Sequence, residues 1–266
     1  MKYKNYLLKI ATLEDIDCIM DFIKNEWKEN HILALNRTFF EYEYLNEDGS
    51  VNFALAKNLE TNKIDAVHAF YILNDGKTDL FGGLWKSKKG TPPLLGVVLK
   101  KFLYSSYDYR SFSAIGSNPN TTIPIQQYFK FKTGKLNHYY LIGQKYKYSI
   151  AVIKDKTETV HLENNEYKLK EVLHFKELLE EVDFNQNVQI VPYKSPRYID
   201  KRYFKHPIYK YDVYLISHPL MKTHSYLIIR EIDVNGSKLG RIVDYIGDEK
   251  YLACIGISLK RLISEK

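Results

Sequence analysis

The chain has 266 residues, 45% of them hydrophobic and 27% charged, with a formal net charge of +7. This balance excludes a disordered chain and is enough for one large core or two small ones. The mild basic excess suits a phosphate-bearing small ligand, falls short of the basic stripe of a nucleic-acid binder, and comes with no apolar run of about 18 residues that could span a membrane.

In chain order, residues 6–11 (YLLKIA) predict a short strand. Thr12 with Asp15 three residues later predicts a capping box, and Ile16, Ile19, Met20, Ile23 and Trp27 recur at helical spacing behind it. A polar stretch, residues 28–37, leads into an aromatic segment, residues 39–44. Strand patterns then cover residues 51–57, 64–73 and 79–85, with Asp75-Gly76 as a hairpin turn between the last two. A Lys/Gly-rich loop, residues 86–91, precedes Pro92-Pro93 and an apolar helix over 94–103. Residues 111–116 predict a small-residue strand, 118–132 a helix and 135–142 a closing strand.

Further on, the patterns predict a strand over 148–153, a polar connector over 154–165 and a helix over 173–182. An aromatic-basic segment, residues 198–211, leads to strands over 211–216, 226–232 and 241–246. A last helix spans 252–263. The two cysteines, Cys18 and Cys254, lack any metal-ligand spacing and sit among apolar residues, so they read as free, buried thiols in a reducing cytoplasm; no metal is expected. The N-terminal apolar stretch is too short and interrupted for a signal peptide.

The run LLGVVLKKFL (94–103) reappears 160 positions later as CIGISLKRLI (254–263), aligning Gly96 with Gly256, Leu99 with Leu259 and Lys100 with Lys260. Three strands precede the helix in both places, so a duplication is expected. Residues 1–147 form the complete copy. Residues 148–266 form a shortened one, whose loop Gly247-Asp248-Glu249-Lys250 is acidic where the first copy's loop is basic.

Two local patterns carry a family resemblance. The first is the strand 79–85, the loop Lys86-Ser87-Lys88-Lys89-Gly90-Thr91 and the helix after it. The second is the strand 111–116 followed by Ile125-Gln126-Gln127-Tyr128-Phe129. Together with the element order, they make residues 6–142 resemble the GNAT superfamily of N-acetyltransferases. The resemblance implies an α/β fold in which mixed, mostly antiparallel sheets are flanked by helices, the second copy truncated. It also implies an acyltransferase using acyl-CoA as co-substrate, with Leu84, Trp85, Lys86, Ser87, Lys88, Lys89, Gly90 and Thr91 holding the donor. A helix start offers unpaired N–H donors to a diphosphate. Gly90 fits the family's loop pattern, whereas Ser87 and Pro92 depart from it. A solvated turn is the plain alternative.

For catalysis, Tyr128 falls where the family often places a tyrosine near the thioester sulfur, as a general acid, and is otherwise one core tyrosine among 23. His68, Glu41, Glu43 and Asp79 are the candidate bases; His68 in an apolar strand also reads as structural. Aromatic and basic residues in the two aromatic segments, His31, Arg37, Tyr42, Tyr44, Arg202 and Tyr203, are candidate acceptor-site residues. Their alternative is packing between the copies.

Duplicated chains of this size resemble N-acyltransferases of bacterial surface-sugar (O-antigen type) pathways, the anthrose-pathway kind among them. That likeness implies a dTDP- or UDP-linked amino-deoxysugar as partner, no nucleic acid, and a monomer or homodimer. An aminoacyl or peptidyl transferase of the peptidoglycan type and a non-catalytic binding module are the alternatives.

Overall fold

The computed structural model describes residues 1–143, 150, 167–219, 221 and 225–265. It divides into two compact units, one of Met1–Lys135 with Val191–Ser195, the other of Leu136–Ile190 with Pro196–Lys266. The architecture is mixed α/β, with a six-stranded sheet in the first unit and a four-stranded antiparallel sheet in the second. Among the described residues no helix is long and apolar enough to cross a membrane.

In the first unit the strands are β1 (Lys2–Tyr3), β2 (Tyr6–Thr12), β3 (Ser50–Asn58), β4 (Ile64–Ile72), β5 (Asp79–Ser87) and β6 (Ser111–Ala114), lying side by side in that order. All neighbours are antiparallel except β5 and β6, which run parallel. The helices are α1 (Ile16–Glu26), α2 (Ile32–Leu35), α3 (Arg37–Tyr44), α4 (Leu95–Ser105) and α5 (Thr122–Tyr128). At the start of α1 the Thr12 N–H donates to the Asp15 carboxylate at 2.9 Å, the expected capping arrangement.

Leu95, Leu99 and Leu103 of α4 pack on Leu8, Ala54, Ala66, Phe70 and Leu80 of the sheet. Phe40 and Tyr44 of α3 set their rings against Phe53 of β3 at 5.3 and 4.8 Å. Helical spacing of these aromatics makes residues 37–44 a helix where the sequence reading had an unassigned aromatic segment.

The second unit contains β7 (Lys168–Val172), α6 (Phe175–Glu181), α7 (Pro196–Ile199), β8 (Asp212–Ser217), β9 (Ser225–Val234), β10 (Ser237–Ile246) and α8 (Gly256–Glu265). One turn of π-helix, Asp200–Phe204, continues α7. Alternate residues of β8 serve opposite faces: Val213 and Leu215 join Leu178, Ile199 and Tyr203, while Tyr214 and Ile216 join Tyr251 and Ile255. The sheet order β7-β8-β9-β10 repeats the antiparallel order β2-β3-β4-β5, and α8 follows β10 as α4 follows β5. The sequence repeat is thus matched by a repeat of topology.

Several expectations are corrected. Residues 135–142 form no strand: Leu136 and Tyr139 are 78% and 84% exposed, and a strand propensity without a pairing partner does not make a strand. The helix expected over 118–132 is confined to Thr122–Tyr128, because Pro124 has no N–H and is tolerated only in a first turn. Cys18 is exposed rather than buried, since Ile16, Ile19 and Ile23 take the inner face of α1, and Cys254 is half-buried. The strand expected over 148–153 and the connector over 154–165 fall, apart from Ile150, outside the described residues.

Candidate functional site

β6 pairs only with Asp79–Gly82, so among the described residues the far half of β5, Gly83–Ser87, has β4 on one side and no strand on the other. Where the two strands part, β5 carries a bulge: Gly83 and Leu84 together stand opposite Ala69 of β4. A bulge breaks the regular ladder and re-aims the backbone. The backbone of Leu84 and Trp85 therefore leads into a gap in the sheet. A cleft of about 440 Å³ opens here, lined by Trp85, Ser87, Thr91, the first turn of α4, and Thr121, Thr122 and Ile125 from the start of α5.

The prolines that depart from the family pattern precede the helix rather than occupying its first turn. Pro92 accepts from the Leu95 N–H at 3.2 Å, and α4 proper starts at Leu95. Among the described residues the N–H groups of Gly96 and Val97 have no backbone partner, and both residues line the cleft. Gly96 is required by proximity: a Cβ there would lie 2.7 Å from the Ser87 Oγ and 3.3 Å from the Trp85 Nε1. The Trp85 indole instead donates to the Gly96 carbonyl at 3.1 Å. Just before the helix, Leu94 holds a left-handed backbone (φ 69°) and is 67% exposed on the cleft, a costly conformation for a branched side chain.

Of the expected donor-site residues, Trp85, Ser87 and Thr91 line the cleft, and Leu84 belongs to the bulge beside it. Lys86 pairs with Val67 in the sheet, Lys88 reaches Glu26 at 3.7 Å, and Lys89 and Gly90 are exposed at the tip of the loop. The corresponding loop of the second unit is closed on itself. Asp248 accepts from the Lys250 N–H and pairs with its ammonium at 2.6 Å, and a Cβ on Gly247 would lie 2.1 Å from the Ser225 Oγ.

The candidate catalytic residues are not gathered at one point. Asp79 is fully buried and accepts from Arg110 at 2.6 Å, Asn74 at 2.7 Å and the Ser111 hydroxyl. Burial alone would raise its pKa, but Arg110 and Ser111 outweigh it and hold the carboxyl below its ordinary range. Asn74 also donates to the Tyr193 carbonyl at 3.3 Å, so this network fastens strand ends within the first unit. Glu43 is buried on α3, and Glu41 pairs with Arg37 at 2.6 Å. Tyr128 is 79% exposed at the end of α5 with its ring against Phe129.

His68 is 2% exposed, its Nδ1 has no hydrogen-bond partner, and its ring stacks on Trp85 at 5.5 Å. Burial, then the charge of Lys100, pushes its pKa well below the usual value, so it is neutral at pH 7.

Among the expected acceptor-site residues, Tyr44 and Tyr203 lie in the cores of their units. Tyr44 shares a hydrogen bond with Tyr71 at 2.6 Å and Tyr203 donates to Asp244. Both are accounted for by packing. Arg37 pairs with Asp17 and Glu41, Arg202 sits 6.0 Å from the Tyr211 ring centre, and Tyr42 is half-buried. His31 caps α2 by accepting from the Leu33 N–H at 3.2 Å, and its ring lies 4.7 Å from that of Trp27. Burial, then Lys28, lowers its pKa. Among the described residues no group of three or more His, Cys, Asp or Glu is placed to hold a metal.

One residue at this site was not singled out by sequence: Lys100 of α4 is 1% exposed, with its Nζ 4.3 Å from the Trp85 ring centre, 5.4 Å from Tyr104 and 6.0 Å from Phe112. Its signal was available in the spacing, because Lys100 follows Gly96 by one turn and adjoins Leu99 on the buried stripe of α4.

No protein-family model matches the chain, and no curated protein matches it by sequence. Among solved structures it is similar to one described as a candidate acetyltransferase from Pyrococcus horikoshii. The identity is 12% and the TM-score 0.50, with 99% of this chain and 79% of that one covered. It also matches the N-myristoyltransferase of Saccharomyces cerevisiae, solved with bound myristoyl-CoA and inhibitors, at 9% identity and a TM-score of 0.44, covering 95% of this chain and 66% of that one. The first likeness is one of fold, and it agrees with the architecture expected from the sequence.

Proposed function

We propose that this chain is an acyl-CoA-dependent N-acyltransferase that binds its donor in the cleft of the first unit. The observation that carries the reading is the parting of β5 from β6 beside the open first turn of α4. The residues present fit a diphosphate-bearing donor: the N–H groups of Gly96 and Val97 are unpaired, and the lining contains hydroxyls but no carboxylate. Acyl-CoA, when bound, supplies an activated acyl group and a sulfur that can leave.

The chain's own contributions follow from position. Gly96 and Val97 would hold the diphosphate with the hydroxyl of Ser87, and Lys86, Lys88 and Lys89 add positive charge around it, while the Thr91 hydroxyl donates to the Lys88 carbonyl and steadies the loop. A backbone N–H of Leu84 or Trp85, at the bulge, would polarise the acyl carbonyl. The cleft lining carries no ionisable side chain. With Asp79 engaged and His68 enclosed, the acceptor amine reacts neutral in this reading and gives its proton to water or to the departing sulfur.

The proposed acceptor is the amino group of a nucleotide-linked amino-deoxysugar of bacterial surface polysaccharide. Its support is the aromatic and basic character of residues 31–44, next to which Trp27 keeps 42% of its surface exposed. Calorimetric titration with coenzyme A tests the donor, with Lys88→Glu expected to weaken binding. No binding at millimolar coenzyme A overturns the reading. Thermal-shift measurements with dTDP, UDP and GDP then test the acceptor class, and no shift with any of them removes the nucleotide sugar.

A further inference from the structure

A lysine that is 1% exposed ordinarily has a carboxylate against it, because an unpaired buried charge is costly. Lys100 has none. Burial is the one cause that moves its pKa, and its Nζ is surrounded by ring faces: Trp85 at 4.3 Å, Tyr104 at 5.4 Å and Phe112 at 6.0 Å. The nearest of these rings is also the wall of the donor cleft. Trp85 is held at three points: its Nε1 donates to the Gly96 carbonyl, its face stacks on His68, and Lys100 lies over it.

We propose that Lys100 is a positioning residue for the donor cleft, its unpaired ammonium holding the Trp85 indole in place as the cleft wall. The proposal rests on the reading of that cleft as the donor site. A cation over an indole is attracted by the ring's quadrupole, and the attraction is largest where water is excluded. Losing the charge removes that hold and leaves the indole with the His68 stack and the Gly96 hydrogen bond.

Because burial lowers the Lys100 pKa to about 8, the hold is present at pH 7 and fades as pH rises above 8. The titratable groups around Lys100 are His68 on β4, Tyr104 on its own helix and Tyr109 beside Tyr104; β5 and β6 present Trp85 and Phe112. His68 is already neutral across this range, and burial raises both tyrosines above their ordinary value, so neither changes charge near pH 8.

The protein has two tryptophans, so Trp27→Phe leaves Trp85 as the sole indole reporter. In that background the fluorescence of the full chain is expected to titrate with a midpoint near pH 8, to be flat in Lys100→Met, and to keep its low-pH form through pH 10 in Lys100→Arg. Coenzyme A affinity is expected to fall roughly tenfold between pH 7 and 9 in wild type and to stay constant in Lys100→Met, tenfold being the scale of a desolvated cation–π contact. A flat wild-type fluorescence titration, or one that survives in Lys100→Met, overturns the proposal. Fluorescence that titrates as expected in a protein that binds no coenzyme A retains the Lys100–Trp85 coupling and removes the donor reading instead.

Discussion

The Trp85 indole donates to the Gly96 carbonyl at 3.1 Å, joining the unpaired half of β5 to the first turn of α4. This bond requires the helix to come close enough that any side chain at Gly96 meets Ser87 and Trp85. The width of the cleft and the exposure of the first-turn N–H groups are therefore set together.

Gly96→Val is expected to push α4 away from β5. The overpacking costs about 1–3 kcal/mol, read as a lower denaturant midpoint, and coenzyme A binding should weaken by roughly tenfold or more, since about 1.4 kcal/mol of lost N–H contact is tenfold. Unchanged affinity in a folded Gly96→Val protein would place the diphosphate elsewhere.

Asp79→Asn should keep the shape of the β5–β6 junction while removing the carboxylate charge that Arg110 pairs with. Removing one partner of a buried pair is expected to cost about 2–4 kcal/mol, moderated here because Arg110 is partly exposed, with 38% of its side-chain surface accessible. The folded Asp79 pKa lies below the ordinary 3.8. Its stabilisation is therefore complete above that value and lost as pH falls through the folded pKa, a loss that Asp79→Asn should abolish in acid denaturation curves.

Lys100 and His68 both carry depressed pKa values, so each makes stability rise with pH, in two different windows. Between pH 8 and 10.5 the unfolded chain binds the Lys100 proton more readily than the folded one, so stability rises with pH through that window. Lys100→Met should remove this rise and gain about 1–3 kcal/mol at pH 7. For His68 the unfolded chain takes up a proton below pH 6.5 that the folded protein resists, so stability is lost as pH drops below 6.5, with a slope of up to about 1.4 kcal/mol per pH unit. His68→Leu should flatten it in urea titrations at pH 5 to 7.

Under the proposed reaction, an acceptor amine that must arrive neutral gives a log kcat/KM that rises with pH at unit slope until the amine's own pKa. The lining of the cleft supplies no titrating group to bend that profile. Measured at saturating acyl-CoA, so that the weaker donor binding expected from Lys100 above pH 8 does not enter, a descending limb below the amine's pKa would show that a protein acid takes part.

Much of this fold is legible in the sequence because its signals are local. The Thr12–Asp15 cap, the strand through residues 51–57 and the Asp75-Gly76 turn each act within a few residues and are found where expected, although that strand is buried on both faces rather than alternating. β7 escaped because KLKEV mixes charge into a strand held by β8 alone. Residues 135–142 misled in the opposite sense, offering tyrosines and aliphatics with nothing to pair against.

The proposed donor cleft was half legible. Gly90, Ser87 and the helix behind them are contiguous in sequence, whereas the Gly83–Leu84 bulge and the stack of His68, Trp85 and Lys100 depend on register between distant elements. A lysine on an apolar helix face reads as solvated until the ring that covers it is placed.

The two sheets share their strand order through four strands, but the first goes on to β6 and α5 while the second, among the described residues, ends its order at β10. A parting of strands needs a further strand to part from. Among the described residues the two sheets therefore provide one such opening, and under the proposed function a donor titration of this chain should saturate at one molecule, with a single class of sites.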